Sequence, residues 1–176
     1  MSEKTYFGKT NVVMVGMPGA GKSTIGVLLA KEMSLDFLDV DVYMQGKEGR
    51  RLQDIIDNEG IDFFSKMEDR YLQEINVMDT IVSTGGSAIY SANGMKHLKR
   101  RGVVVFLKIN MKTLEERLGD FSTRGVVMRK DQTFEDLFQE RNTLYAAEAD
   151  EVIECDGKNQ ETLVKEIIER LFSWLS

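Results

Sequence analysis

Five short runs of apolar, mostly branched residues punctuate the chain, at 12–15, 37–40, 80–83, 103–109 and 151–155. Runs of this length and composition predict β-strands. The run at 103–109 is nearly continuous in apolar residues, as a central strand buried on both faces requires. Between the runs the period changes. Ile25, Leu28, Leu29 and Met33 recur at helical spacing, and so do Phe64, Met67, Tyr71 and Ile75. Further helices are predicted over 92–101, 112–118, 134–148 and 160–175. Strands alternating with helices predict an α/β domain with a mostly parallel sheet.

No repeat, low-complexity tract or Pro/Ser-rich linker divides the sequence, so residues 1–176 read as one domain. The least patterned segment, 119–130, contains Gly119, Asp120, Ser122, Thr123 and Gly125. It reads as a mobile loop over a site, and its basic residues Arg124 and Arg129 favour a lid above an ordinary surface connection.

Composition narrows the class. A chain of 176 residues that is 42% hydrophobic can build a core without staples. Its net charge of −6 argues against a broad basic face, and so against nucleic acid as a partner. Cys155 stands alone, which excludes an intramolecular disulfide. No apolar stretch approaches the roughly 20 residues that span a bilayer, and residues 1–9 lack the apolar middle of a secretion signal. A cytoplasmic protein with no membrane partner is expected, monomeric or at most a weak homodimer.

The chemistry begins after the first strand. Gly16-Met17-Pro18-Gly19-Ala20-Gly21-Lys22-Ser23 fits the phosphate-loop pattern G-x-x-x-x-G-K-[ST], with a strand before it and an amphipathic helix behind. Glycines let successive backbone N–H groups turn inward, and the helix N-terminus adds partial positive charge. The only proline, Pro18, fixes a turn inside the loop. Gly19, Ala20, Gly21, Lys22, Ser23 and Thr24 are therefore candidate ATP-binding residues. Lys22 is expected on the β- and γ-phosphates and the Ser23 hydroxyl on Mg²⁺.

Two carboxylates follow the second strand in Phe37-Leu38-Asp39-Val40-Asp41. Residues i and i+2 of an extended chain point the same way, so both can face a site at the carboxyl end of the sheet. One can position Mg²⁺ and the other accept a proton from an attacking hydroxyl. Helix capping is the competing explanation for an aspartate here.

In this order and spacing, GMPGAGKST, FLDVD, STGGSA and ERNTLY resemble the shikimate kinase family over nearly the whole chain. The resemblance implies a three-layer P-loop NTPase fold, with a five-stranded parallel sheet in the order 2-3-1-4-5 flanked by helices. It implies transfer of the ATP γ-phosphate to a ring hydroxyl of shikimate, giving shikimate 3-phosphate and ADP, within aromatic amino acid biosynthesis. Asp39 then becomes the partner of the Mg²⁺ site. Asp41 holds and deprotonates the substrate hydroxyl. Gly85 and Gly86 bring bare backbone to the substrate, and Arg141 pairs with its carboxylate. Arg124 closes from the lid onto the phosphates, Arg117 packs near adenine, and residues 42–79 form a substrate-binding region.

The chain departs from that pattern near the acceptor. The family carries arginine where this sequence has Ser65, between Phe64 and Lys66, which leaves Glu68 without its usual cationic neighbour. Ser87 replaces the third glycine of a triplet. Gly125-Val126-Val127 replaces Pro-Leu-Leu in the lid, and no proline closes the adenine loop that begins at Asp156. Losing one charge-assisted hydrogen bond to a carboxylate costs on the order of 2–5 kcal/mol. A less positive pocket at Ser65, Glu68 and Ser87 suits a different hydroxylated acceptor, such as gluconate, homoserine or an aminated sugar acid. A third reading is a nucleotide-binding regulator without catalysis, and the intact Lys22, Ser23, Asp39 and Asp41 weigh against it. His97, Cys155 and Trp174 read as structural.

Overall fold

Val12, Val13, Met14 and Val15 are fully buried, and the strand they form, β1 (Asn11–Val15), is the centre of the sheet. The computed structural model describes residues 8–119 and 126–173. The other strands are β2 (Asp36–Asp39), β3 (Thr80–Ser83), β4 (Gly102–Lys108) and β5 (Glu151–Glu154), all parallel to their neighbours in the order β2-β3-β1-β4-β5. Val13 of β1 lies in register with Val82 of β3 and Val104 of β4, so the middle of the sheet is a row of branched residues. The expected fold class is borne out, strand order included.

Eight α-helices of the described residues flank the sheet: α1 (Lys22–Met33), α2 (Val40–Glu48), α3 (Leu52–Glu59), α4 (Ile61–Glu74), α5 (Ala92–Lys99), α6 (Met111–Leu118), α7 (Phe134–Glu148) and α8 (Gln160–Ser173). A 3₁₀ turn, Ala88–Tyr90, precedes α5. In a parallel sheet every strand ends on the same edge. The segments leaving β1, β2 and β3 therefore converge there, and they carry the phosphate loop, the aspartates and the glycines.

The structure corrects the sequence reading at three places. Val40 does not end a strand but opens α2, because the Asp39 carboxylate accepts a hydrogen bond from the Val42 amide at 3.1 Å and caps the helix. Asp41 therefore sits in the first turn of a helix, and the extended-chain argument for its direction does not apply. Helices α2 and α3 were not anticipated at all. Only Val40 and Met44 are buried in α2 and only Ile55 in α3, too few to print a helical period.

Gly94 of α5 sits against Leu72 of α4, and a Cβ there would lie 2.6 Å from Leu72 Cβ. Alanine would improve helix propensity by about 1 kcal/mol, yet overpacking costs about 1–3 kcal/mol. The expected outcome is that Gly94→Ala destabilises the protein in urea denaturation. A variant as stable as the parent would show that α4 and α5 separate freely.

Candidate active site

At the exit of β1 the chain turns through Gly21, which holds a left-handed φ of 96° at the start of α1. Glycine adopts that backbone without strain. No side chain caps α1, and no acidic residue lies in its first turn. Its leading N–H groups are left for an anion. Lys22 folds back over the loop, donating at 2.8 Å to the carbonyls of both Gly16 and Met17. Burial lowers its pKa to about 8, opposed by the charge of Asp41.

Asp39 does two things at once. One carboxylate oxygen caps α2, while the other accepts from Ser23 Oγ at 2.6 Å. Ser23 Oγ also lies 3.1 Å from Ser83 Oγ. The helix-capping reading and the site reading of Asp39 are thus both realised in one side chain. The Asp41 carboxyl is raised, first by burial and then by the charge of Asp39, with Lys22 opposing.

Close approach is made possible by glycine. A Cβ on Gly85 would lie 2.7 Å from Asp41 Oδ1, and one on Gly86 would lie 2.7 Å from Pro18 Cδ and 2.9 Å from Arg141 Nη1. Tyr145 of α7 donates its hydroxyl to the Gly86 carbonyl and fixes the segment. Arg141, on the same helix, is only 1% exposed. Its Nη2 donates to the Val127 carbonyl at 2.7 Å, and its Nε has no partner. Glu68, equally buried, accepts from Ser87 Oγ at 2.7 Å through Oε2, and its Oε1 is unpartnered.

One cavity of about 760 Å³ is lined by Gly19, Gly21, Lys22, Ser23 and Thr24 from the loop, by Asp41, and by Gly85, Gly86, Ser87 and Arg141. Ala20 is buried beneath the loop. Arg117 donates to the carbonyls of Gly19 and Ala20 at 3.3 and 3.5 Å, which seats it on the outer side of the loop. Asp156 accepts from the Asn110 amide at 2.9 Å. Ser65 and Lys66 are exposed, and Ser65 lines a smaller cavity of about 160 Å³ that shares only Ser87 and Val127 with the large one. Arg124 and the other residues of 120–125 lie outside the described residues. His97 is bound to the Ile75 carbonyl and to Arg100, far along the chain from this site. Cys155 is buried, and its thiol is pushed up to about 12 by desolvation.

The resemblance pointed to 42–79 as a substrate-binding region, but sequence reasoning singled out none of Gln45, Arg51, Leu52, Gln53 and Ile56, which line the large cavity. The adjacent pair Arg50-Arg51 was the available signal, but nothing in the sequence says which of the two turns inward.

Glu68 gives the site a pH signature. Burial raises its pKa from an ordinary 4.5 to about 7, against the hydrogen bond from Ser87. Between those values the folded state binds the proton that the unfolded state releases, so stability falls as pH rises through that window. Glu68→Gln removes the effect. Its stability relative to the parent should shift in its favour by up to about 3 kcal/mol between pH 4.5 and pH 8. Denaturant titrations at both pH values measure this, and a constant difference would rule out a protonated Glu68.

With this geometry in view, the comparisons with known proteins agree among themselves. The family model for shikimate kinase matches residues 18–172. A shikimate kinase of Haemophilus influenzae is 36% identical over 165 residues, covering 92% of this chain and 92% of its own. A solved shikimate kinase of Acinetobacter baumannii, in complex with shikimate, superposes with a TM-score of 0.86 at 30% identity, covering 98% of both chains. A Sinorhizobium meliloti gluconokinase structure, at 16% identity and a TM-score of 0.54 over 93% of each chain, shares the fold alone.

Proposed function

This chain belongs to the shikimate kinase family, and we propose that it transfers the γ-phosphoryl group of ATP to a ring hydroxyl of shikimate, giving shikimate 3-phosphate and ADP. The observation that carries the reading is the single cavity joining Lys22 and Ser23 to Asp41, Gly85, Gly86 and Arg141. Phosphate donor and alcohol acceptor can meet there without crossing solvent. An acceptor of another class, gluconate for example, is not favoured, since the match to a gluconokinase extends only to fold.

The phosphates of ATP bind the free N–H groups of the loop, and Lys22 exchanges its two carbonyl partners for phosphate oxygens. Arg141 pairs with the acceptor carboxylate, and the bare backbone at Gly85 and Gly86 lets the ring approach Asp41. The carboxylate of Asp41 orients the attacking hydroxyl and accepts its proton as the new O–P bond forms. Burial makes it a stronger base than an exposed aspartate. The family likeness assigns Arg124 to the nucleotide phosphates and Arg117 to the adenine.

The donors at Ser23 and Asp39 fit Mg²⁺. They are hard oxygens held 2.6 Å apart, beside the phosphate loop, with Ser83 Oγ next to them. Bound there, the ion would neutralise charge on the phosphates. No helix of the described residues is long and apolar enough to cross a membrane.

Lys22→Ala and Asp41→Asn should each lower kcat by roughly 10²- to 10⁴-fold. Shikimate-dependent ADP release in a coupled assay is the measurement. Full kcat in Asp41→Asn would remove its role as base, and no shikimate turnover by the parent enzyme would remove the acceptor assignment.

A further inference from the structure

Two arginines stand side by side before α3, and their circumstances differ. Arg50 is engaged by Glu59 and, at 3.6 Å, by Glu48. Arg51 is exposed, its side chain makes no hydrogen bond or ion pair among the described residues, and it lines the large cavity. Local structure does not account for it. Arg51 is the N-cap of α3, a position that favours Ser, Thr, Asp or Asn, and its side chain makes no capping bond.

Its place in the wall points to the acceptor. Arg51 lines the cavity together with Leu52 and Ile56 of α3 and Phe64 of α4, and α2, which carries Asp41, packs against both of those helices. The phosphate loop reaches the same cavity from the end of β1 and brings its own cation, Lys22. The acceptor side otherwise has Arg141, whose field falls partly on the buried Glu68 carboxyl. An anion resting on Arg141 alone would meet a cation already offset by its neighbour.

We propose that Arg51 is the second cation of the acceptor site, closing on the acceptor's carboxylate opposite Arg141. This rests on the reading above that the acceptor is a hydroxy acid. A guanidinium suits the task, since its forked N–H groups meet a carboxylate in bidentate fashion and its long stem lets an exposed base reach inward. No ion pair to another described residue has to break first. The position left neutral by Ser65 is then supplied with charge from a different helix.

The test is steady-state kinetics of Arg51→Gln and Arg51→Lys with shikimate, with shikimate methyl ester, and with ATP varied separately. Arg51→Gln should raise the KM for shikimate roughly 10- to 100-fold, with kcat changed by less than a few-fold and the KM for ATP unchanged. Its preference for the acid over the neutral ester should shrink by the same factor, and Arg51→Lys should recover part of it. An unchanged KM for shikimate overturns the proposal. So does a rise confined to the KM for ATP, which would assign Arg51 to the triphosphate. If the parent enzyme does not phosphorylate shikimate, the proposed function fails, and the same variants are run on whichever of quinate, gluconate and glycerate it does phosphorylate. A raised KM for that acid sustains Arg51 independently of shikimate. No turnover of any hydroxy acid overturns both.

Discussion

A buried ammonium group at the carboxyl end of the central strand sets the terms for everything around it. Lys22 has left water, and its two hydrogen bonds go to neutral carbonyls rather than to a carboxylate. Desolvation of that kind is costly unless charge of opposite sign stands near. Asp41 and Asp39 supply it at a distance, from a strand-to-helix junction that the sheet brings alongside the loop. The phosphate loop thus arrives with a cation that its own surroundings only partly satisfy. An incoming phosphate completes it.

The junction itself depends on a carboxylate with two duties. Asp39 ties α2 to β2 through the Val42 amide and ties β2 to α1 through Ser23. Its neighbour Asp41 is thereby carried on a capped helix turn, not on a flexible strand end. Gly85 and Gly86 then remove the bulk that would keep Asp41, Pro18 and Arg141 apart. Placement of the groups is therefore a matter of backbone as much as of side chains: a Cβ at Gly85 would meet Asp41 and Glu68, and one at Gly86 would meet Pro18 and Arg141.

How much of this was legible follows from where the information lies. Strands β1, β3 and β4 were legible because burial on both faces leaves an apolar run, and the loop because backbone cradling of phosphate demands glycine at fixed spacing. Asp39 and Asp41 were legible as a pair but not in their geometry, since an aspartate after a strand can continue the extended chain or cap a helix, and the sequence leaves both open. Helices α2 and α3 wrote no period because one or two buried residues suffice to seat them. Arg51 was hidden for a related reason. Its identity is visible in the sequence, but its direction is decided by which of two adjacent arginines Glu48 and Glu59 capture. The family likeness drew the eye to Ser65, and that residue faces a different, smaller cavity.

The two halves of the site are consequently constrained in different ways. Nucleotide binding draws on N–H groups and a helix terminus, which any substitution short of breaking the loop leaves in place. In the proposed function, acceptor binding draws on side chains from α2, α3, α4 and α7, whose charges are set one residue at a time. Buried Glu68, raised to about 7 and bonded to Ser87, shows how finely that balance is poised, since one proton changes the site's local charge by a full unit. In a chain with a net charge of −6, a free arginine beside such a pocket is scarce charge in a place where charge counts. The donor half is fixed by the fold, and the acceptor half is where single substitutions can retune the enzyme while the fold stays the same.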